Sequence, residues 1–495
     1  MNFLTVTLAC LVHGTIVSAA NADAWRSRSI YQVITDRFAR SASDPFKAVE
    51  QCYEGNLTWC GGTWQAIEEN LDYIKDMGFT ALWISPVSQN IPGPTASGEP
   101  YLGYWVQNVS MLNDRFGTAD DLKSLISAVH ERDMYIMIDI VVNNVASTSG
   151  VHDIDYSPYL FADKSYYHPY SAISWGNSTS EEIGWLGDDA NLTFPDLDTS
   201  NPVVRAGLQS YIKSFVEEYS VDGLRIDAAE HVEPDFWTSF CNEGGAAGVF
   251  CMGEINGTDV QLTAPWQGPL DSILNYPAYY AIRDAFSHPG PKNTTGLAML
   301  VNQSKQLYKD VSVLGNFLEN HNLPRWPGFS KDYVTLTNAL VFLFMNDGIP
   351  VVYYGLEQEY AGVVEPYNRE PLWPSHYGST GRYQTITQLN GFRNYLIANT
   401  DWLSQPATVL SSSPLDIVIK KGGVISVMNT LGRVARNVTS SVKDTGYPAE
   451  LPLVDILTCG TFIVASEGAI SISYGFGGRP VILFPLQLLN NTWFV

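Results

Sequence analysis

"MYIMIDIVV", residues 134–142, is an apolar, largely β-branched run interrupted only by Asp139. A strand with one wet face alternates apolar and polar residues. This one does not, so both of its faces must be covered, as in a parallel sheet flanked by helices. The preceding stretch, "TADDLKSLISAVHERD" (118–133), has helical spacing, with Thr118 placed as its N-cap. Working outward, similar runs occur at "SIYQVITDRF" (29–38), "FTALWISPV" (79–87) and "VDGLRIDA" (221–228). The series continues through "GVFCMGEIN" (248–256), "DSILNYP" (271–277), "VLGNFLENH" (313–321) and "GIPVVYYG" (348–355). Eight strands with intervening helices predict an α/β fold, a (β/α)8 TIM barrel. A doubly wound sheet would more often show a Gly-rich phosphate turn after its first strand, and none is present.

One connection departs from the repeat. After "IDIVVNN" the chain runs through Gly, Ser, Asp and aromatic residues, with no convincing helix until about Pro202. An excursion of that length carries function or forms its own subdomain. From about Trp402 the pattern changes to period two, as in "DIVIKKGGVISVMN" and "AISISYGF", which predicts a separate antiparallel β domain. The final apolar stretch, "RPVILFPLQLLNNTWFV", reads as a last strand rather than a lipid-anchor signal.

A chain of 495 residues exceeds one minimal core, and 45% hydrophobic with 16% charged residues describes a globular protein. The net charge of −23 excludes a phosphate-tracking surface, so no nucleic-acid partner is expected. Thirteen Trp and 27 Tyr fit a large packed core first and sugar-stacking platforms second. Residues 1–20 end an apolar run in Ser18-Ala19-Ala20 and are expected to be a signal peptide, not a membrane span. N-x-S/T sequons begin at Asn56, Asn108, Asn177, Asn191, Asn256, Asn293, Asn302, Asn437 and Asn490. With the leader, they point to a secreted or cell-wall glycoprotein. Removing the leader leaves Cys52, Cys60, Cys241, Cys251 and Cys459. Cys52 with Cys60 is the favoured bridge, Cys241 with Cys251 a second candidate, and Cys459 has no evident partner. No spacing suggests zinc.

Chemistry in such barrels sits at the C-terminal ends of the strands. Those ends carry Asp139, Asn143 and Asn144, then Arg225, Asp227 and His231, then Glu254, then His321 and Asn322. A single acid there is more often a structural ion pair. Two acids on adjacent strands, with an arginine two residues before one of them, match what glycoside hydrolysis requires: a proton donor and an attacking carboxylate.

The motifs "DIVVNN" (139–144), "GLRIDAAEH" (223–231), "GEIN" (253–256) and "FLENHN" (317–322), in this order at strand ends, resemble those of the fungal α-amylases of glycoside hydrolase family 13. The likeness extends from "DAWRSRSIYQVITDRFAR" (23–40) through "CGGTWQAIEENLDYIKDMGFTALWISPV" (60–87) to "GGRPVILFP" (477–485). It implies a barrel domain over 21–142 and 202–401, a B domain over 143–201, and a C-terminal β domain over 402–495. The implied substrate is an α-glucan or maltooligosaccharide, handled by a monomer. By resemblance Asp227 is the nucleophile and Glu254 the acid/base, which must hold a proton. Arg225 orients Asp227 and keeps it ionised. His321, Tyr104, Trp105 and Arg369 are expected to contact substrate. A structural Ca2+ is implied at Asn143, Glu182, Asp196 and the His231 carbonyl, all oxygen donors suited to a hard cation.

The sequence also departs from the family pattern. Asn322 stands where the third catalytic acid is usual, and Asn144 where His is usual. Leu102 replaces a His in "YLGYW", and Glu230 replaces a Lys on the aglycone side. Related fungal α-glucanotransferases of cell-wall α-glucan resemble this chain in having Asn in the first motif. The resemblance therefore implies slow hydrolysis, sugar transfer in place of it, or a glucan-binding protein with little turnover.

Overall fold

The structure is a computed structural model describing residues 20–40, 52, 55, 57–189, 192–241 and 244–489. Most of the leader and the sequons at Asn56, Asn191 and Asn490 lie outside the described residues. The eight barrel strands are β1 (Ile30–Val33), β2 (Ala81–Ile84), β3 (Tyr135–Ile140), β4 (Gly223–Ile226), β5 (Phe250–Gly253), β6 (Ser272–Ile273), β7 (Gly315–Phe317) and β8 (Ile349–Tyr353). They form one parallel sheet in the order β6-β5-β4-β3-β2-β1-β8-β7. A parallel bridge between Leu274 and Gly315 joins the two ends, so the sheet closes. Each strand is shorter than its apolar run. Beyond Val33, for instance, the chain turns into a helix over Thr35–Phe38.

Thr118 caps the helix Ala119–His130 through a reciprocal pair with Asp121, as its sequence predicts. Gly223, at the start of β4, has a clear steric reason. A Cβ there would lie 2.6 Å from the Trp25 ring, whose indole N–H donates to the Asp222 carbonyl at 2.9 Å.

Two excursions rise over the C-terminal rim of the barrel. After β2, Ser88–Asn90 pairs antiparallel with Val106–Leu112, and the loop between them carries Tyr101–Trp105. After β3, the long excursion packs Tyr156, Tyr159 and Tyr167 together, and returns to its own start through bridges Ser147–Thr193 and Asn144–Asp196. It holds a short helix, Ser178–Ile183, that the sequence does not announce. That helix has no buried face and rests on its Asn177 cap, so it leaves no apolar period to read.

The C-terminal part is a six-stranded antiparallel sheet with an added two-stranded pair. "DIVIKKGGVISVMN" is a hairpin of Asp416–Lys421 and Val424–Asn429 around Gly422, whose φ is +55°. The sheet docks on the barrel helix Tyr333–Met345, which is apolar on nearly all sides because it is covered on both. Asn338 on that helix accepts from Asn429 N–H at 2.7 Å and donates to the Gly478 carbonyl at 2.9 Å.

Cys52 and Cys60 form a disulfide. Cys241 and Cys251 are buried thiols, so the second candidate bridge is not formed, and Cys459 is an exposed thiol.

Candidate active site

Asp139 on β3, Arg225 on β4, Asp227 just after β4 and Glu254 just after β5 are neighbours because these strands are adjacent and in register. Asp139 pairs with Arg225, and Ile226 with Gly253. The fully buried Arg225 guanidinium serves three carboxylates. Nη1 lies 2.9 Å from Asp139 Oδ1 and 2.8 Å from Asp227 Oδ1, and Nη2 lies 2.5 Å from Glu254 Oε2. Asp139 also accepts from Tyr104 Oη at 2.6 Å and Trp83 Nε1 at 3.1 Å. Glu254 accepts from Tyr276 Oη at 3.0 Å and from the Ala228 N–H at 3.2 Å. Ala228 reaches Glu254 from a left-handed backbone, φ 47° and ψ 40°, a conformation that an alanine adopts only under constraint from its surroundings.

One arginine cannot fully neutralise three clustered acids, so burial leaves Asp139 and Asp227 raised above the ordinary carboxylate range. Burial, reinforced by Glu254 and Asp139, pushes Asp227 up to about 7 against the pull of Arg225. Burial also raises Asp139. Burial acts on Glu254 too, but Arg225, the Ala228 amide and the Tyr276 hydroxyl outweigh it and hold its carboxyl below the usual range. This reverses the expectation that Arg225 keeps Asp227 charged while Glu254 keeps the proton. The physical reason is that Arg225 lies against Glu254 as closely as against Asp227, and Glu254 receives two further donors.

His321 is buried and stacks on Tyr104, with ring centres 5.1 Å apart and planes 8° from parallel. Its Nδ1 meets Gln32 Nε2 at 3.1 Å. Burial, then the charges of Arg225 and Arg369, hold its pKa well below 6.5, so the ring is neutral. With Nδ1 accepting from Gln32, Nε2 carries the hydrogen. Arg369 fixes the His321 backbone, donating from Nε to its carbonyl at 3.0 Å, and pairs with Glu365 at 2.6 Å. Tyr101, Leu102, Tyr104, Trp105, Asn144, Asp227, His321, Asn322 and Arg369 wall one cavity of about 360 Å3. Asn322 stands exposed on its rim, with its N–H donating to Asn320 Oδ1 at 2.9 Å. Glu230 lies outside this wall and accepts from the Asn256 N–H at 3.0 Å.

The residues proposed for calcium divide. Asn143 and Asp196 are buried side by side: Leu197 N–H donates to the Asn143 carbonyl at 2.8 Å, and Oδ1 of each side chain is buried without a hydrogen-bond partner. Two orphaned oxygens at one spot fit a hard cation. The other Asp196 oxygen contacts His168 Nδ1 at 2.7 Å, a partner that the sequence did not suggest. His231 faces the same excursion, its Nδ1 donating to the Glu181 carbonyl at 2.8 Å. Glu182 is half-buried on that short helix.

Sequence reading overlooked Trp83, Gln32 and Tyr276. All three lie on or just after β2, β1 and β6, so position at a strand end was the available signal.

The profile described as "Alpha amylase, catalytic domain" matches residues 32–375, and that of "Alpha-amylase, domain C" matches 409–493. The chain belongs to the α-amylase family. An α-amylase of Saccharomycopsis fibuligera is 40% identical, over 99% of this chain and 98% of its own. The solved α-amylase of Malbranchea cinnamomea superposes with a TM-score of 0.91 at 37% identity, covering 95% of this chain and 99% of that one. A cyclomaltodextrin glucanotransferase with a three-domain ABC distribution superposes with a TM-score of 0.79 at 26% identity, covering 92% and 98%. This is an α-amylase-type glycoside hydrolase of family 13, with a glucan as the class of substrate. No described helix is long and apolar enough to cross a membrane.

Proposed function

We propose that this α-amylase-family enzyme cleaves α-1,4-glucan by a retaining double displacement and hydrolyses slowly, passing its glycosyl intermediate to sugar hydroxyls as well as to water. One observation carries the reading: Asp227, which lines the cavity, and Glu254 are held together on a single buried guanidinium. Asp227 attacks the anomeric carbon while Glu254 protonates the departing oxygen, and Glu254 then deprotonates the acceptor. In the resting cluster burial disfavours charge on Asp227 while Arg225, the Ala228 amide and the Tyr276 hydroxyl favour it on Glu254, the reverse of what attack needs. A sugar that displaces Glu254 from Arg225 leaves the guanidinium to Asp139 and Asp227. That lowers Asp227, raises Glu254 and sets both for reaction. The Nε2–H of neutral His321 donates to a sugar hydroxyl, and Tyr104 supplies an apolar face.

Asn322 lacks the charge that would oppose the forming sugar cation, a loss of roughly 3–4 kcal/mol, on the order of 10²–10³ in rate. The neighbouring glucanotransferase structure supports transfer as an outcome of the same scaffold. A second reading, a glucan-binding or regulatory protein, draws on the ion pair that ties up Glu254 together with the amide at 322. Calcium, where bound, would be held by Asn143, Asp196, the His231 carbonyl and Glu182. Its chemistry there is to neutralise the buried oxygens and join the excursion to the barrel. The chain is read as secreted and monomeric.

The test is purified protein with maltoheptaose, its products separated by size, beside Asp227→Asn. Shorter and longer maltooligosaccharides from the wild type, and none from the variant, are expected. Products from both would remove Asp227 as nucleophile, and products from neither would favour the binding reading.

A further inference from the structure

The sequons are the one sequence motif that the reaction does not use. Asn177 and Asn293 cap helices, Asn302 lies within Thr294–Leu307, and Asn108 binds its own Ser110. Asn256 is different in place. It follows Glu254 by two residues, in the loop between β5 and the helix Val260–Thr263, and both Asn256 and Thr258 of the sequon are exposed. Its backbone is held from two sides. Glu230 Oε1 takes the Asn256 N–H at 3.0 Å, and Gly257 N–H turns back to the Ile255 carbonyl at 3.0 Å.

The cavity fixes which side of the reaction this loop borders. Its walls include Asp227 but neither Glu254 nor Glu230. The sugar under attack lies over the nucleophile, and the leaving group departs past the acid. The open cleft over Asp227 therefore takes the attacked sugar, and the departing chain passes Glu254 toward Glu230 and Asn256.

We propose that Asn256 carries an N-linked glycan standing on the leaving-group side of the cleft, where it limits the length of chain that enters. The inference rests on Asp227 and Glu254 being the catalytic pair. Attachment needs a polyprenyl-diphosphate-linked oligosaccharide, the donor of the secretory route. Asn256 Nδ2 bonds to the sugar's C1, the C1–oxygen bond to the diphosphate breaks, the amide loses one proton, and polyprenyl diphosphate leaves. A branched, hydrated glycan at this rim admits short saccharides as leaving groups and acceptors while colliding with a long polymer.

The experiment uses the full chain secreted from a yeast host, as wild type and as Thr258→Ala, which removes the sequon but keeps Asn256 and its bond to Glu230. Asn256→Gln serves if that variant is not secreted. Glycopeptide mass spectrometry reads occupancy, and turnover of amylose is compared with that of maltoheptaose. We expect an occupied Asn256, unchanged maltoheptaose turnover in Thr258→Ala, and an amylose-to-maltoheptaose ratio raised roughly tenfold, the discrimination that one contact commonly gives. An unmodified Asn256 overturns the proposal, and so does an occupied one whose removal leaves the ratio unchanged. Absence of turnover in every form sinks the enzyme reading instead. Retention on immobilised amylose then decides: it rises in Thr258→Ala if the glycan bars long chains, and stays level if it does not.

Discussion

An amide at 322 differs from a carboxylate in charge far more than in shape, so restoring Asp there isolates the electrostatic part of the proposed deficit. Asn322→Asp should raise starch hydrolysis, but by less than the roughly 10²–10³ assigned to one preorganised partner. The new charge shares the cavity wall with Asp227. It favours the protonated form of nearby acids, which helps where it acts on Glu254 and hinders where it acts on Asp227, so the basic limb of the rate profile moves upward while the gain stays partial. On the proposed reading Asn144, Leu102 and Glu230 would still hold the substrate differently, and misplacement alone removes large factors. Adding Asn144→His should therefore enlarge the gain, read as starch-hydrolysis rates of both single variants and the double across pH. No gain in three folded variants would favour the binding reading. Tyr276 offers an independent probe of the same acid. Its hydroxyl donates to Glu254 and so stabilises the charged form. Tyr276→Phe should raise the Glu254 pKa and shift the basic limb of kcat/KM to higher pH. A limb that stays in place or moves downward would mean that another group sets it.

Elements decide which of these residues can meet, and they differ in how openly the sequence declares them. The β3, β4 and β5 strands were legible because their runs are mostly apolar, and Asp139, Arg225, Asp227 and Glu254 stand out in or just past them. What spacing could not show is who holds whom. That Arg225 divides itself among three acids follows from the register of adjacent strands, Asp139 beside Arg225 and Ile226 beside Gly253. The left-handed Ala228 that aims an amide at Glu254 was equally hidden, since alanine is a poor marker of that conformation. The excursion after β3 was visible as an excursion, but its fold rests on bridges and a capped polar helix without periodicity. Its tie to the barrel carries an element-scale prediction. If Asn143 and Asp196 share a calcium ion, exhaustive chelation should lower the melting temperature by several degrees, since a ligand at roughly 100 times its Kd stabilises by about 2.7 kcal/mol. Asn143→Ala should melt low and ignore the chelator. A wild-type melt that chelation leaves unchanged, against a metal-loaded control, would remove calcium from this region.

At the scale of the whole molecule, the buried acids predict how stability follows pH. Burial pushes Asp36 up to about 6 and Asp227 and Glu319 to about 7, against the opposing pull of Arg37, Arg225 and Arg325. Their ordinary values, 3.8 for Asp and 4.5 for Glu, return when the chain unfolds. Between about pH 4.5 and 7 the folded protein thus binds protons that the unfolded chain releases, and stability falls as pH rises through that window. His321 acts in the opposite sense. Burial, Arg225 and Arg369 hold it well below 6.5, so only the unfolded chain takes up its proton, and that contribution grows as pH rises toward about 6.5. Three carboxyls outweigh one imidazole, so the net slope is downward. The net charge of −23 adds repulsion with the same sign. Salt separates the two causes, because it screens surface repulsion much more than buried pairs. At fixed, saturating calcium and high salt, the melting temperature should still fall from pH 5 to pH 7.5. Asp227→Asn, which removes one of the carboxyls that burial raises to about 7, should flatten the upper half of that slope. A wild-type melting temperature that climbs over this range would mean that these acids enter the fold already charged.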